Sequence, residues 1–123
     1  MKKSQIQSFI IFTSLLLTSI YSLLTPEDPL YSLENHFTNC EYEQAIILAE
    51  KILKDPKLNR KDKLEIYIIK GVSEYSNKQV LDSKITFAEL LHLNGSVSLD
   101  SREISPKIIE VFNNIKENKK LKK

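Results

Sequence analysis

The chain has little of what many catalytic and metal-binding folds are made from: one cysteine, two glycines, four prolines and no tryptophan in 123 residues. A lone cysteine, Cys40, excludes an intramolecular disulfide, so packing alone must hold the fold. It also excludes structural zinc sites that need cysteine pairs. Two isolated glycines, Gly71 and Gly95, cannot make a glycine-rich phosphate cradle. The sequence contains no His-Glu-x-x-His, no Gly-x-Ser-x-Gly and no acidic calcium loop. Few glycines beside abundant Leu, Ile, Lys, Glu and Asn disfavour a turn-rich all-β fold and favour helices. The expectation is an all-α protein that is not an enzyme, with no metal and no cofactor.

Charge of one sign is also scarce, since the formal net charge is only +2. Five lysines near the C-terminus, Lys116, Lys119, Lys120, Lys122 and Lys123, stand against Glu117, so the body of the chain is close to neutral. A nucleic-acid binder carries a basic stripe on a folded face. Here Lys51, Lys54, Lys57, Arg60, Lys61 and Lys63 are interleaved with Glu50, Asp55, Asp62 and Glu65, which reads as a solvated surface, and no nucleic-acid partner is expected.

What is present is most specific at the N-terminus. Lys2 and Lys3 precede an uncharged run from Phe9 to Leu24, a basic-then-apolar targeting pattern over residues 1–24. The run is shorter than the roughly 20 residues that cross a bilayer as a helix, although Ile6 could extend it. The best cleavage position ends at Ser22 with bulky Ile20 before it, so a cleavable signal peptide and a retained membrane anchor both stay open. Cys40 lies too far along the chain for lipoprotein processing. In either case the positive-inside tendency places the body outside the cytoplasm, periplasmic or secreted if released and held at the inner membrane if anchored.

After a linker at residues 25–28 the pattern is helical. Asp28 and Pro29 supply an N-cap and first position for a helix with Leu30, Leu33 and Phe37 on one face, ending around Thr38 to Cys40. From Glu41 to Lys54 a continuous stripe holds Tyr42, Ala45, Ile46, Ala49, Ile52 and Leu53, and Asp55-Pro56 stops it. A third helix presents Leu64, Tyr67, Ile68, Val72 and Tyr75, with Gly71 inside that face. A mid-helix glycine costs ~1 kcal/mol relative to alanine, which predicts close approach by a neighbouring helix. That neighbour is a fourth helix, from about Lys78 to Leu93, with Val80, Phe87, Leu90 and Leu91 inward and Asn94-Gly95 as a left-handed stop. Ser96 to Ser101 reads as an extended connector. Ser105 and Pro106 start a last helix whose buried face is Ile108, Phe112 and Ile115, with Ile104 and Ile109 as a staple.

Other polar residues attract local explanations. His36 and Cys40 are four apart, but Thr38 and Asn39 suggest a break between them, so they read as surface residues rather than as a ligand or nucleophile pair. His92 suits a helix C-terminus. Asn94-Gly95-Ser96 is formally a glycosylation triplet, yet the helix stop already explains its first two residues. Tyr42, Tyr67 and Tyr75 read as core.

The second hairpin resembles the tetratricopeptide repeat, a 34-residue helical hairpin in which small residues let paired helices nest. Tyr67, Gly71, Ser83 and Phe87 match its aromatic, small, small and aromatic positions. Leu90 replaces a usual small residue, and Gly95 stands near the usual proline. In the first hairpin Tyr42, Ala45 and Pro56 match. Aligning Ala45 with Ser83 gives a period of 83 − 45 = 38, longer than the repeat's own, and the opening helix of the first hairpin carries almost no consensus.

The segment from Leu99 through Ser105-Pro106-Lys107-Ile108 to Phe112 is similar to those that close small repeat domains in bacterial cell-envelope proteins. The resemblance implies two antiparallel helical hairpins plus a C-terminal capping helix over residues 29–117, followed by a basic tail at 118–123. It further implies a module that binds a protein partner through the first helices of its hairpins, with Tyr67, Lys70 and Glu74 as contact positions. The alternative is a small carrier of an apolar ligand or peptide in the groove between the hairpins.

Overall fold

The computed structural model describes residues 28–121, so the expected targeting segment at 1–24 lies outside the described residues. All regular structure among the described residues is helical: α1 Pro29–Thr38, α2 Tyr42–Leu53, α3 Arg60–Ser76, α4 Val80–Leu93 and α5 Pro106–Leu121. None of these helices is long and apolar enough to cross a membrane.

The ends of the helices follow from local chemistry. Asp28 accepts a hydrogen bond from the Leu30 backbone N–H at 3.1 Å, ahead of Pro29, so one orphan donor is satisfied where the chain turns helical. Asn59 caps α3 in the same way, accepting from the Asp62 N–H at 2.8 Å while its amide donates to the Asp62 carboxylate at 2.9 Å. That is a reciprocal arrangement of the capping-box type.

The two three-residue turns, α1 to α2 and α3 to α4, have one geometry. Cys40 and Lys78 take the left-handed conformation at φ 59° and 66°. Cys40 N–H donates to the Phe37 carbonyl and Glu41 N–H to the His36 carbonyl, at 3.1 and 2.8 Å; Lys78 to Tyr75 and Gln79 to Glu74 repeat both bonds at the same distances. This pair of bonds is the Schellman closure, here built on non-glycine residues.

The left-handed stop expected at Asn94-Gly95 is not found. Asn94 is extended at φ −150°, ψ 103°, and no glycine has a positive φ. Instead the Asn94 side chain accepts bonds from the Ser96 N–H and hydroxyl, at 3.1 and 2.8 Å. A side-chain turn therefore does the work that the sequence reading assigns to backbone handedness.

The core has two parts that meet on α3. One gathers Leu33, Ala45, Ala49, Ile66 and Ile69 between α1, α2 and α3. The other gathers Val72, Phe87, Leu90, Leu91, Ile104, Ile108 and Phe112 between α3, α4 and α5, with Leu64, Tyr67, Ile68 and Tyr75 packed against it. Phe37 touches both. The apolar stripe read on α3 is thus only the side facing the second cluster. Ile66 and Ile69 form a further buried side, because α3 is sandwiched between α1–α2 and α4–α5.

Gly71 fulfils its expectation. A Cβ there would lie 2.7 Å from Cδ1 of Phe87, and the Ser83 hydroxyl donates to the Gly71 carbonyl at 2.7 Å. Phe87 continues across to Phe112, edge to face with ring centroids 5.4 Å apart, an arrangement aromatic pairs favour. Through that contact α5 is seated on the second hairpin. Val80, expected inward, is exposed, as are Leu81 and Ile85. α5 continues into the expected basic tail as far as Leu121; Lys119 in that stretch donates to the Ala88 carbonyl at 3.0 Å, and Lys116 just before it to the Val97 carbonyl at 2.8 Å.

Candidate functional site

The three contact positions expected on α3 lie towards α4. Lys70 Nζ donates to Glu74 Oε2 at 3.2 Å and to Thr86 Oγ1 at 3.0 Å, and the Thr86 hydroxyl donates to the other Glu74 oxygen. The Lys70 and Glu74 side chains are only 14% and 4% exposed. Their charges are thus satisfied within the hairpin, as buried ions require, and Glu74 presents no free carboxylate to solvent. Tyr67 is half-buried beside a shallow pocket of about 520 Å³ that it shares with Lys63, Ile85, Glu89, His92 and Lys119. Burial, and then the Glu89 carboxylate, push its phenol above the usual range, with Lys70 opposing.

A larger cleft, about 770 Å³, opens on the other side of α3. Its walls are Glu34, Phe37 and Thr38 of α1, Cys40 and Tyr42 at the first turn, Glu65, Ile68 and Ile69 of α3, and residues 98–100, 103 and 104 of the connector to α5. The first helices of the two hairpins meet here, closed by the connector. Asp100 organises that connector by accepting from the Arg102 N–H at 2.9 Å and from its guanidinium, and its carbonyl takes the Ile104 N–H at 3.0 Å.

The cleft has an apolar floor and an acidic rim. Phe37, Tyr42, Ile68, Leu99 and Ile104 supply the floor, and Glu34, Glu65, Asp100 and Glu103 the rim, with no lysine or arginine among the lining residues. Burial raises the Glu65 carboxyl above the ordinary range, and the nearby Glu34 adds to it; both effects disfavour the charged form. Asp100 is held below its range by the hydrogen bonds from Arg102. The Tyr42 phenol is pushed up by contact with the Cys40 side chain, burial adding to it.

The His36 and Cys40 pairing does not form. His36 Nδ1 instead faces Glu41 at 3.5 Å, and the exposed Cys40 thiol sits at the cleft edge. Among the described residues no group of three or more histidine, cysteine or acidic side chains is placed to hold a metal ion, so the rim carboxylates are spread around the opening rather than convergent.

The sequence reading missed Glu34, Glu65, Asp100 and Glu103. One signal was available: Leu33-Glu34 and Leu64-Glu65 each set a carboxylate at the border of an apolar face on the opening helix of a hairpin. The connector's share had none, because it depends on where residues 98–104 fold back. No family model matches the chain, and no curated protein and no solved structure matches it at a significant level.

Proposed function

We propose that the chain is a non-enzymatic protein-interaction module, a tetratricopeptide-like pair of hairpins with α5 as its cap, exported and either released or held at the membrane by residues 1–24. The observation that carries this reading is the cleft between α1, α3 and the connector. It is formed by the first helices of both hairpins, the side that helical repeats turn towards their partners. It also combines apolar floor with polar rim, the composition of recognition surfaces. The carrier reading fits less well. A small apolar ligand would cover the floor and leave the rim carboxylates facing solvent, whereas a polypeptide segment can meet both.

The test places a photo-cross-linking residue in the full chain at Ser98, in the cleft, or at Leu81, which is 72% exposed on the far side of α4. Irradiation of intact cells is expected to give a discrete protein adduct from position 98 and none from position 81. Adducts from position 81 alone, or a small apolar molecule bound to the purified chain and released only on unfolding, would contradict the reading.

A further inference from the structure

We infer that the cleft takes a cationic amphipathic segment of a partner protein, with an apolar side chain seated against Ile68 and Leu99 and flanking lysines or arginines facing Glu34, Glu65 and Glu103. The inference rests on the reading of the cleft as the interaction surface and adds the chemistry of what fills it.

Charge complementarity carries it. Of the four rim carboxylates only Asp100 has an ion-pair partner among the described residues, Arg102 at 3.0 Å. Glu34 and Glu65 come from neighbouring helices and line the same cleft, where the Glu34 charge disfavours ionised Glu65 and Lys61 only partly opposes this. Glu65 is also half-buried, so water screens that repulsion incompletely.

A small cation does not answer this arrangement, because no three of these oxygen donors converge. A string of cations on one polypeptide does. Cations spaced along a helix or an extended strand meet carboxylates spread around an opening, while the apolar residues between them cover the floor. Helix-in-groove recognition reads its ligand as such anchors at spacings of three and four.

Cys40 supplies the assay, being the chain's single cysteine, exposed, and on the cleft wall. An environment-sensitive fluorophore on Cys40 of the full chain is titrated with three synthetic peptides. They share leucines at helical spacing and carry lysine, glutamine or glutamate at the intervening positions. The lysine peptide is expected to shift the emission and to bind at least about tenfold more tightly than the glutamine peptide, with the glutamate peptide weakest. That preference should collapse as added salt shortens the screening length from about 10 Å towards about 3 Å.

Glu34→Lys with Glu103→Lys, both at exposed positions, should abolish the preference while leaving the circular dichroism unchanged. Glu103→Gln alone, a milder change, should reduce it. Equal binding of the lysine and glutamine peptides would overturn the cationic occupant and leave the interaction module standing. No binding by any peptide, together with no adduct at position 98 in cells, would overturn both. An emission shift on concentrating the labelled chain alone, with a dimer in sedimentation, would assign the cleft to a second copy and equally overturn the separate partner.

Discussion

In the first hairpin a leucine on α1, Leu33, shares its buried cluster with two alanines on α2, Ala45 and Ala49. In the second hairpin the positions at the same spacing along the chain are Gly71 on α3 and Ser83 and Phe87 on α4, and there the large side chain comes from the opposite helix. The turns that close the two hairpins are nonetheless the same, down to their left-handed residues Cys40 and Lys78. The two hairpins thus share a turn geometry while the large and small side chains sit on opposite helices, an arrangement a core permits when the total volume is similar. The difference has a consequence for the rest of the molecule. A phenylalanine on α4 can reach beyond its own hairpin to Phe112 and seat α5; an alanine, such as the one at the matching position of α2, cannot.

The largest expected effect follows from that double duty. Phe87→Ala should cost ~3–5 kcal/mol, more than Leu33→Ala, as read by chemical denaturation of each variant. A Leu33→Ala cost equal to or above it would break the asymmetry drawn between the two cores.

Next comes Gly71→Ala, a change that ordinarily adds helix stability of ~1 kcal/mol. Here it should destabilise by ~1–3 kcal/mol because a methyl group meets the Phe87 ring. In a Phe87→Leu background the same substitution should lose at least half of its penalty. Additive costs in that double-mutant cycle would mean that the two residues do not share the space the hairpin gives them.

Smaller and equal effects are expected at the turns. Cys40→Gly and Lys78→Gly should each raise stability by ~0.5–1 kcal/mol, since glycine takes a positive φ without the Cβ penalty. Thermal denaturation showing a gain at one turn and a loss at the other would contradict their equivalence.

The smallest effect concerns Glu65, whose folded carboxyl is raised by burial and by Glu34. A raised folded value means that the folded chain binds this proton more tightly than the unfolded chain does. The group's contribution is therefore fully present below the unfolded value and is lost as pH rises through the folded one. Glu65→Gln should accordingly stabilise by a few tenths of a kcal/mol at about pH 7. The advantage should vanish below about pH 3, where the glutamate is protonated in the folded and the unfolded chain alike.

Much of the fold was legible in the sequence because its signals were local. Asp28-Pro29, Asp55-Pro56 and Ser105-Pro106 marked helix boundaries, and Gly71 pointed to a close neighbour, found as Phe87. What was not legible depends on long-range placement. Ile66 and Ile69 were missed because a helix buried on two sides mixes two stripes. Lys70 and Glu74 read as partner-contact positions, and only the position of Thr86 on α4 shows how both are satisfied inside. The left-handed residues are Cys40 and Lys78 rather than Gly95, since short turns between tightly packed helices impose their geometry on whatever residue is there. The cleft was hidden for a related reason: its acids come from α1, α3 and a connector, and no local window contains them together.

The central claim, that this cleft is the surface at which the chain meets a protein partner, is tested most directly by the alkylation rate of Cys40. The reference is a Cys40→Ser, Leu81→Cys variant, whose thiol stands at an exposed position of α4 outside the cleft lining. The ratio of the Cys40 rate to the reference rate should be lower in intact cells than for the purified chains by at least about fivefold, as occupancy of a specific interface excludes water and reagent from its centre. An unchanged ratio would contradict the account.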